Sequence, residues 1–239
     1  MEKIKTLALV ALVAMMLTAC VVKTDSKSTP THDTEVSQLN EEVALDTFNG
    51  ICAAGSVDVV LAQGDKYGAA IRANNQEVID YLVIYVKNNT LNIETKDKSL
   101  NKNIFDDFDD VVVYVTTPDI NSIDLTGSGD VKICTPFKTS DVVIQLAGAG
   151  DIDIEGLFTC NNLSVSIAGT GDVEFDQIKA INVNTSIAGS GSVEYRNMDV
   201  ENAVSRIAGA GDIKLQGKVK THSEDIAGSG TIDTSGLLP

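Results

Sequence analysis

The stretch IAGAGDIKL at 207–215 decides the fold, because the chain writes it six times. The other copies are LTGSGDVKI at 125–133, LAGAGDIDI at 146–154, IAGTGDVEF at 167–175, IAGSGSVEY at 187–195 and IAGSGTIDT at 226–234. Their first glycines, Gly127, Gly148, Gly169, Gly189, Gly209 and Gly228, lie 21, 21, 20, 20 and 19 residues apart. A constant period of this size marks a solenoid, in which each repeat is one coil that cannot bury its apolar side alone.

The coils are β rather than α. Two residues before the first glycine stands Leu125, Leu146, Ile167, Ile187, Ile207 or Ile226, and four after it stands valine or isoleucine. The next residue is always charged (Lys132, Asp153, Glu174, Glu194, Lys214, Asp233), and the one after that is mostly a large apolar residue again. Such in-out-in alternation belongs to a strand with one buried face. Like coils stacked in register run parallel, and parallel crossovers are right-handed. Twenty residues at about 3.3 Å each make a lap of about 65 Å, enough for two or three short sides. The prediction is therefore an all-β chain, a right-handed parallel β-helix of about 20 residues per coil. Small residues beside the two glycines suit a crowded bend where stacked backbones approach closely. The last coil replaces apolar residues with His222, Glu224 and Thr234, as a terminal cap should.

Ahead of the repeats, residues 1–19 read as a signal peptide. Lys3 and Lys5 precede an apolar run too short to span a bilayer, ending in Leu17-Thr18-Ala19-Cys20. That ending resembles a bacterial lipobox, which implies a lipid on Cys20 and a membrane partner through that anchor. Residues 20–42 are polar and read as a flexible tether. Residues 43–118 read as an irregular β region without helical periodicity, with a hairpin turn at Asn88-Asn89. Within it AAGSVDVVL, at 53–61, is a faded copy of the repeat phrase. Residues 119–239 carry the repeats. Of Cys52, Cys134 and Cys160, an odd set, at least one must stay unpaired within the chain, and all three read best as small buried hydrophobes.

Phe48-Asn49-Gly50-Ile51, Gly55-Ser56-Val57-Asp58-Val59 and Leu91-Asn92-Ile93, followed by tandem G-S-G-D-[VI] phrases, resemble the GIN domain of auto-transporter adhesin heads over 44–234. Such domains are common in lipoproteins of Bacteroidetes-type bacteria. The resemblance implies a β-helical envelope protein with an adhesive role and carries no catalytic residues.

A net charge of −16 opposes nucleic acid at long range, so no nucleic-acid partner is expected. The residue after the second glycine, Asp130, Asp151, Asp172, Ser192, Asp212 or Thr231, raises the question of a calcium ladder. Serine and threonine are poor calcium ligands but share with aspartate the habit of bonding nearby backbone, so the set points to turn-locking. Asp106-Asp107-Phe108-Asp109-Asp110 lacks the spacing and glycine of a calcium loop and reads as a solvated loop. Repeats present the same acids in every coil, with no unique pair for a glycosidase. His32 and His222 are the only histidines, and Phe175 and Tyr195 point inward. No catalytic, cofactor or metal site is assigned, and no cofactor is expected. The outward Gln145, Ser164, Ser166, Asn184 and Ser186 make a flat polar wall able to dock a protein, a glycan or another copy, or merely to face solvent. Three functions are weighed: a lipid-anchored adhesin or binding module of the outer membrane, a structural envelope protein, and a polysaccharide-processing enzyme. The first accounts best for the residues.

Overall fold

A computed structural model describes residues 39–73, 76–96 and 111–238. Strands occur in the order β1 (Leu39–Val43), β2 (Gly50–Gly55), β3 (Asp58–Gln63), β4 (Gly68–Ala73), β5 (Leu82–Lys87), β6 (Thr90–Thr95) and β7 (Val112–Thr117), with helix α1 (Gln76–Tyr81) between β4 and β5. Then come β8 (Ser122–Gly127), β9 (Val131–Ile133), β10 (Phe137–Lys138), β11 (Asp141–Gly148), β12 (Ile152–Thr159) and β13 (Asn162–Ile167). Three long strands, β14 (Val173–Gly189), β15 (Ser192–Gly209) and β16 (Asp212–Gly228), and the shorter β17 (Thr231–Leu238) complete the column.

The parallel solenoid is the observed fold, and it has three sides. On the first, leading into the G-x-G bend, β8, β11, β13, β14, β15 and β16 stack in parallel with the glycines in register. On the second, leaving the bend, β9, β12, β14, β15, β16 and β17 stack likewise. The third carries β10 against β12, then the middle segments of β14, β15 and β16.

The amino-terminal part is more regular than its sequence suggests. The faded phrase is a true coil: Ala53 lies against Leu125, Gly55 against Gly127 and Val59 against Val131. Below it the chain builds a cap before rising to β8. Here β6 and β7 lie parallel to β2 and β3, and the antiparallel ladders β1–β4, β4–β7 and β5–β6 are added beneath. The β5–β6 hairpin turns at Asn88 and Asn89, both at positive φ (52° and 64°), as asparagine tolerates. The expectation that this region is free of helix is corrected by α1. Six residues are too few for a helical period to show, yet Val78 and Ile79 are buried in the main core. Gln63 ends the third side by imitating a strand. Its Nε2 donates to the Pro118 and Lys138 carbonyls at 2.9 and 2.7 Å, and its Oε1 accepts from the Lys138 amide at 2.9 Å. β1 begins at Leu39, inside the stretch read as tether.

Inside the column, like residues stack on like. Phe137 lies over Phe158 at 5.8 Å, Phe158 meets Phe175 edge-on at 5.9 Å, and Phe175 stacks on Tyr195 at 5.1 Å. Phe175 and Tyr195 are fully buried, as the alternation requires. The Tyr195 hydroxyl bonds Thr185 Oγ1 at 2.8 Å, which allows a phenol in the core. Above Leu215 no described residue is buried, and His222 Nε2 bonds Ser205 Oγ at 3.2 Å. The top coil does turn polar. Cys52 and Cys160 are free thiols, and burial pushes Cys160 up to about 12. Cys134 is half-buried and is not a free thiol, so its reading as an inert hydrophobe is corrected.

Candidate binding surfaces

The acid after the second glycine has a definite task. Each carboxylate reaches up the stack and accepts the amide N–H of its counterpart in the next coil. Asp58 Oδ1 takes the Asp130 amide, Asp130 that of Asp151 and Asp151 that of Asp172, all at 2.9 Å. Asp172 takes the Ser192 amide at 2.8 Å and Asp212 that of Thr231 at 3.1 Å. Where Ser192 interrupts the acids, the Asp212 amide turns instead to the Gly191 carbonyl at 3.2 Å. Turn-locking is thus the role these residues play, but between coils rather than within one bend. Asp151 is held above the usual carboxylate range, first by burial and then by the carboxylates of Asp130, Asp172 and Glu174, against the Asp172 amide bond that lowers it. Burial, then Glu174, Asp151 and Asp130, raise Asp153 too, with Lys132 opposing.

Two predictions arise here. Asp151→Ala should cost about 1–2 kcal/mol in urea unfolding, because the Asp172 amide loses its acceptor. Asp151→Asn keeps an oxygen there and sheds the charge, so it should be neutral or stabilising. A calcium site would behave otherwise, with Asn abolishing a calcium-dependent rise in thermal midpoint. Because folded Asp124, Asp151 and Asp153 are raised above their unfolded values, the folded state binds more protons. Stability should therefore increase as pH falls from neutral through the carboxylate range. At lower pH the gain should reverse as Glu194 protonates, since Lys214 and then Arg196 hold it below its usual value. Melting curves that fall steadily from neutral pH downward would refute this.

The three sides differ in chemistry. The second is a charged lattice. Lys132 pairs with Glu155 at 2.6 Å and Lys214 with Glu194 at 2.9 Å. Arg196 joins Glu174, Asp176 (2.7 Å) and Glu194 (3.5 Å) across two coils. On the first side the expected polar residues, Gln145, Ser164, Ser166, Asn184 and Ser186, do point outward in register. Beside it, unforeseen, runs an amide ladder. Asn202 donates to Asn182 at 2.9 Å, Asn182 to Asn162 at 2.7 Å and Asn162 to Asp141 at 2.5 Å.

At the corner between the third and first sides lies a groove of about 560 Å³ lined by Lys179, Asp199, Glu201, Lys218, Lys220 and Leu238, among others. Lys179 pairs with Asp199 at 3.2 Å and Lys220 with Glu201 at 3.0 Å. The sequence holds its trace, Lys179, Asp199 and Lys218 at the repeat period, but outward charges at that spacing also describe an ordinary solvated wall. His222 sits at the top of the column, remote from the Asp ladder's lower coils. Cys20, His32 and Asp106–Asp110 lie outside the described residues, and among those described no helix is long and apolar enough to cross a membrane.

The chain matches a family profile described as "Putative auto-transporter adhesin, head GIN domain" over residues 47–237. Among solved structures it is similar to a "putative adhesin" from Bacteroides fragilis, at 25% identity and TM-score 0.68, covering 84% of this chain and 97% of that one. It is also similar to a "putative lipid binding protein" from Parabacteroides distasonis, at 22% identity and TM-score 0.67 with the same coverage. A further "putative adhesin" from Parabacteroides distasonis aligns at 16% identity and TM-score 0.65, again over 84% and 97%. No curated protein matches. With its three-sided column and its cap from β2 onward inside the matched span, the chain belongs to the GIN-domain family of adhesin heads.

Proposed function

We propose that the protein is a non-enzymatic adhesion or binding module of the cell envelope, held to the outer membrane through lipid on Cys20. The observation that carries this reading is where the chain enters the column. β1 is the lowest strand of the second side, beneath β4, β7 and β3, whereas the G-x-G coils rise at the opposite end. A tether arriving at Leu39 would plant the cap toward the membrane and project the coils away from it. A rigid column with its repeating faces directed outward suits contact with a surface. Family membership supports the same reading.

Protease shaving of intact cells tests it. The G-x-G coils should be reached from outside, and deletion of the gene should reduce attachment of the cells to a host or bacterial surface. Protection until the outer membrane is opened would favour the structural role. New reducing ends on incubation with envelope polysaccharides would revive the enzyme.

The corner groove favours a second reading. Lys179, Lys218 and Lys220 stand around exposed Leu238 and Ile181, at 55% and 45% exposure, and outnumber by one the carboxylates of Asp199 and Glu201 that pair with the first and last of them. That combination suits an acidic amphiphile. A fluorescent fatty acid should bind, and Lys218→Glu with Lys220→Glu should weaken it about tenfold or more. Equal affinity for the double variant would remove the groove from consideration.

A further inference from the structure

The first side departs from the rest of the surface in charge. From Val143 up to Ala188 three coils turn only valine, glutamine, alanine, serine and asparagine outward there, in a chain of net charge −16. Its central column reads Asp124, Gln145, Ser166, Ser186 and Arg206, in register coil by coil. The two charges therefore close the ends of a neutral face, four coils or about 19 Å apart. Neither makes a salt bridge among the described residues, although Asp225 stands next above Arg206. On the second side, by contrast, charges are netted together around Arg196.

We propose that this side is the interface of a homodimer, two copies facing each other with their columns antiparallel about a two-fold axis along the strand at Ser166. Rotation about that axis keeps each column of side chains in place and reverses the order of coils. Asp124 of each copy then meets Arg206 of the other, Gln145 meets Ser186, and Ser166 meets itself. In the flanking columns Val143 meets Asn184 and Ala147 meets Ala188, so within these three columns and five coils the only facing charges are the two Asp124–Arg206 pairs. The other face-to-face arrangement, with columns parallel, would set Asp124 against Asp124 and Arg206 against Arg206. Charge thus selects one of the two geometries. Small side chains on this side allow the close face-to-face approach this needs.

Five coils by about six residues give an overlapping face of about 20 by 24 Å, about 480 Å² per copy, the size of a weak, transient contact. The expected dimer is weak, populated by about 100 µM. Sedimentation equilibrium on the full chain tests it. Arg206→Asp and Asp124→Arg should each raise the dissociation constant about tenfold or more, since both pairs become repulsive. Combining them restores opposite charges at both contacts and should return the constant to within about threefold of the original. Ser166→Glu sets two carboxylates together on the axis and should abolish the dimer independently. All three positions point outward, so unchanged circular dichroism and thermal midpoints would show folding intact. The proposal is overturned by a chain that stays monomeric up to about 100 µM. It is equally overturned by a dimer indifferent to the single reversals or one that the double reversal fails to restore.

Discussion

Gly148→Ala is expected to destabilise the protein by at least about 4 kcal/mol, enough to leave much of a marginally stable chain unfolded. Two costs coincide. Gly148 has φ +148°, where a side chain is strained, and a Cβ there would lie 2.1 Å from the Gly127 carbonyl oxygen. That oxygen cannot retreat, because it accepts the Ala149 and Gly150 amides at 2.9 and 3.2 Å. Gly150→Ala separates the costs: its Cβ would meet the Gly129 oxygen at 2.0 Å without a left-handed φ. Gly64→Ala is the control, since its nearest neighbour would be Thr116 Cβ at 3.7 Å, and it should change stability by about 0.5 kcal/mol or less. Urea midpoints decide the matter. A Gly148→Ala protein as stable as the Gly64→Ala protein would mean that the bends are not in close stacking contact.

The second large effect lies in the aromatic column. Phe158→Ala should cost about 3–5 kcal/mol, because the ring is fully buried between Phe137 and Phe175 and parallel strands on both sides prevent collapse into the hole. Tyr195→Phe removes no volume from the stack but leaves Thr185 Oγ1 unpaired, for about 1–2 kcal/mol. Isothermal denaturation of the two variants should rank them in that order. A larger loss for Tyr195→Phe would show that the buried hydrogen bond, rather than ring packing, fixes the core at this level.

The solenoid could be read in advance because its cause is local and repeated. Ile207, Gly209 and Ile213 each recur at one spacing, and a fixed spacing admits one kind of stacking. The cap could not, because nothing in residues 64–121 repeats. Its placement follows from β2 and β3 having partners above and below, a property of the assembled column. The Asp58–Asp130–Asp151–Asp172 ladder was half legible. Residue choice revealed a backbone-bonding role, while the direction of the bond, upward into the next coil, depends on where stacking puts that coil's amides. The asparagine ladder left its period in Asn162, Asn182 and Asn202, but without known register a recurring amide cannot be told from a recurring loop residue. The groove is least legible, since its concavity arises from side chains splaying at a corner.

The cap's position in the chain has a consequence for how the protein assembles. Strand β2 is made early, yet its upper neighbour β8 arrives 72 residues later, with Gly55 facing Gly127. A polypeptide threaded out amino end first must hold this first lap unfinished while the whole floor is synthesised. Once Gly127 docks, every later lap closes on one only 19 to 21 residues behind it. The slow, entropically costly closures should thus be confined to the cap and its junction with β8, with the remaining storeys zipping on as they emerge.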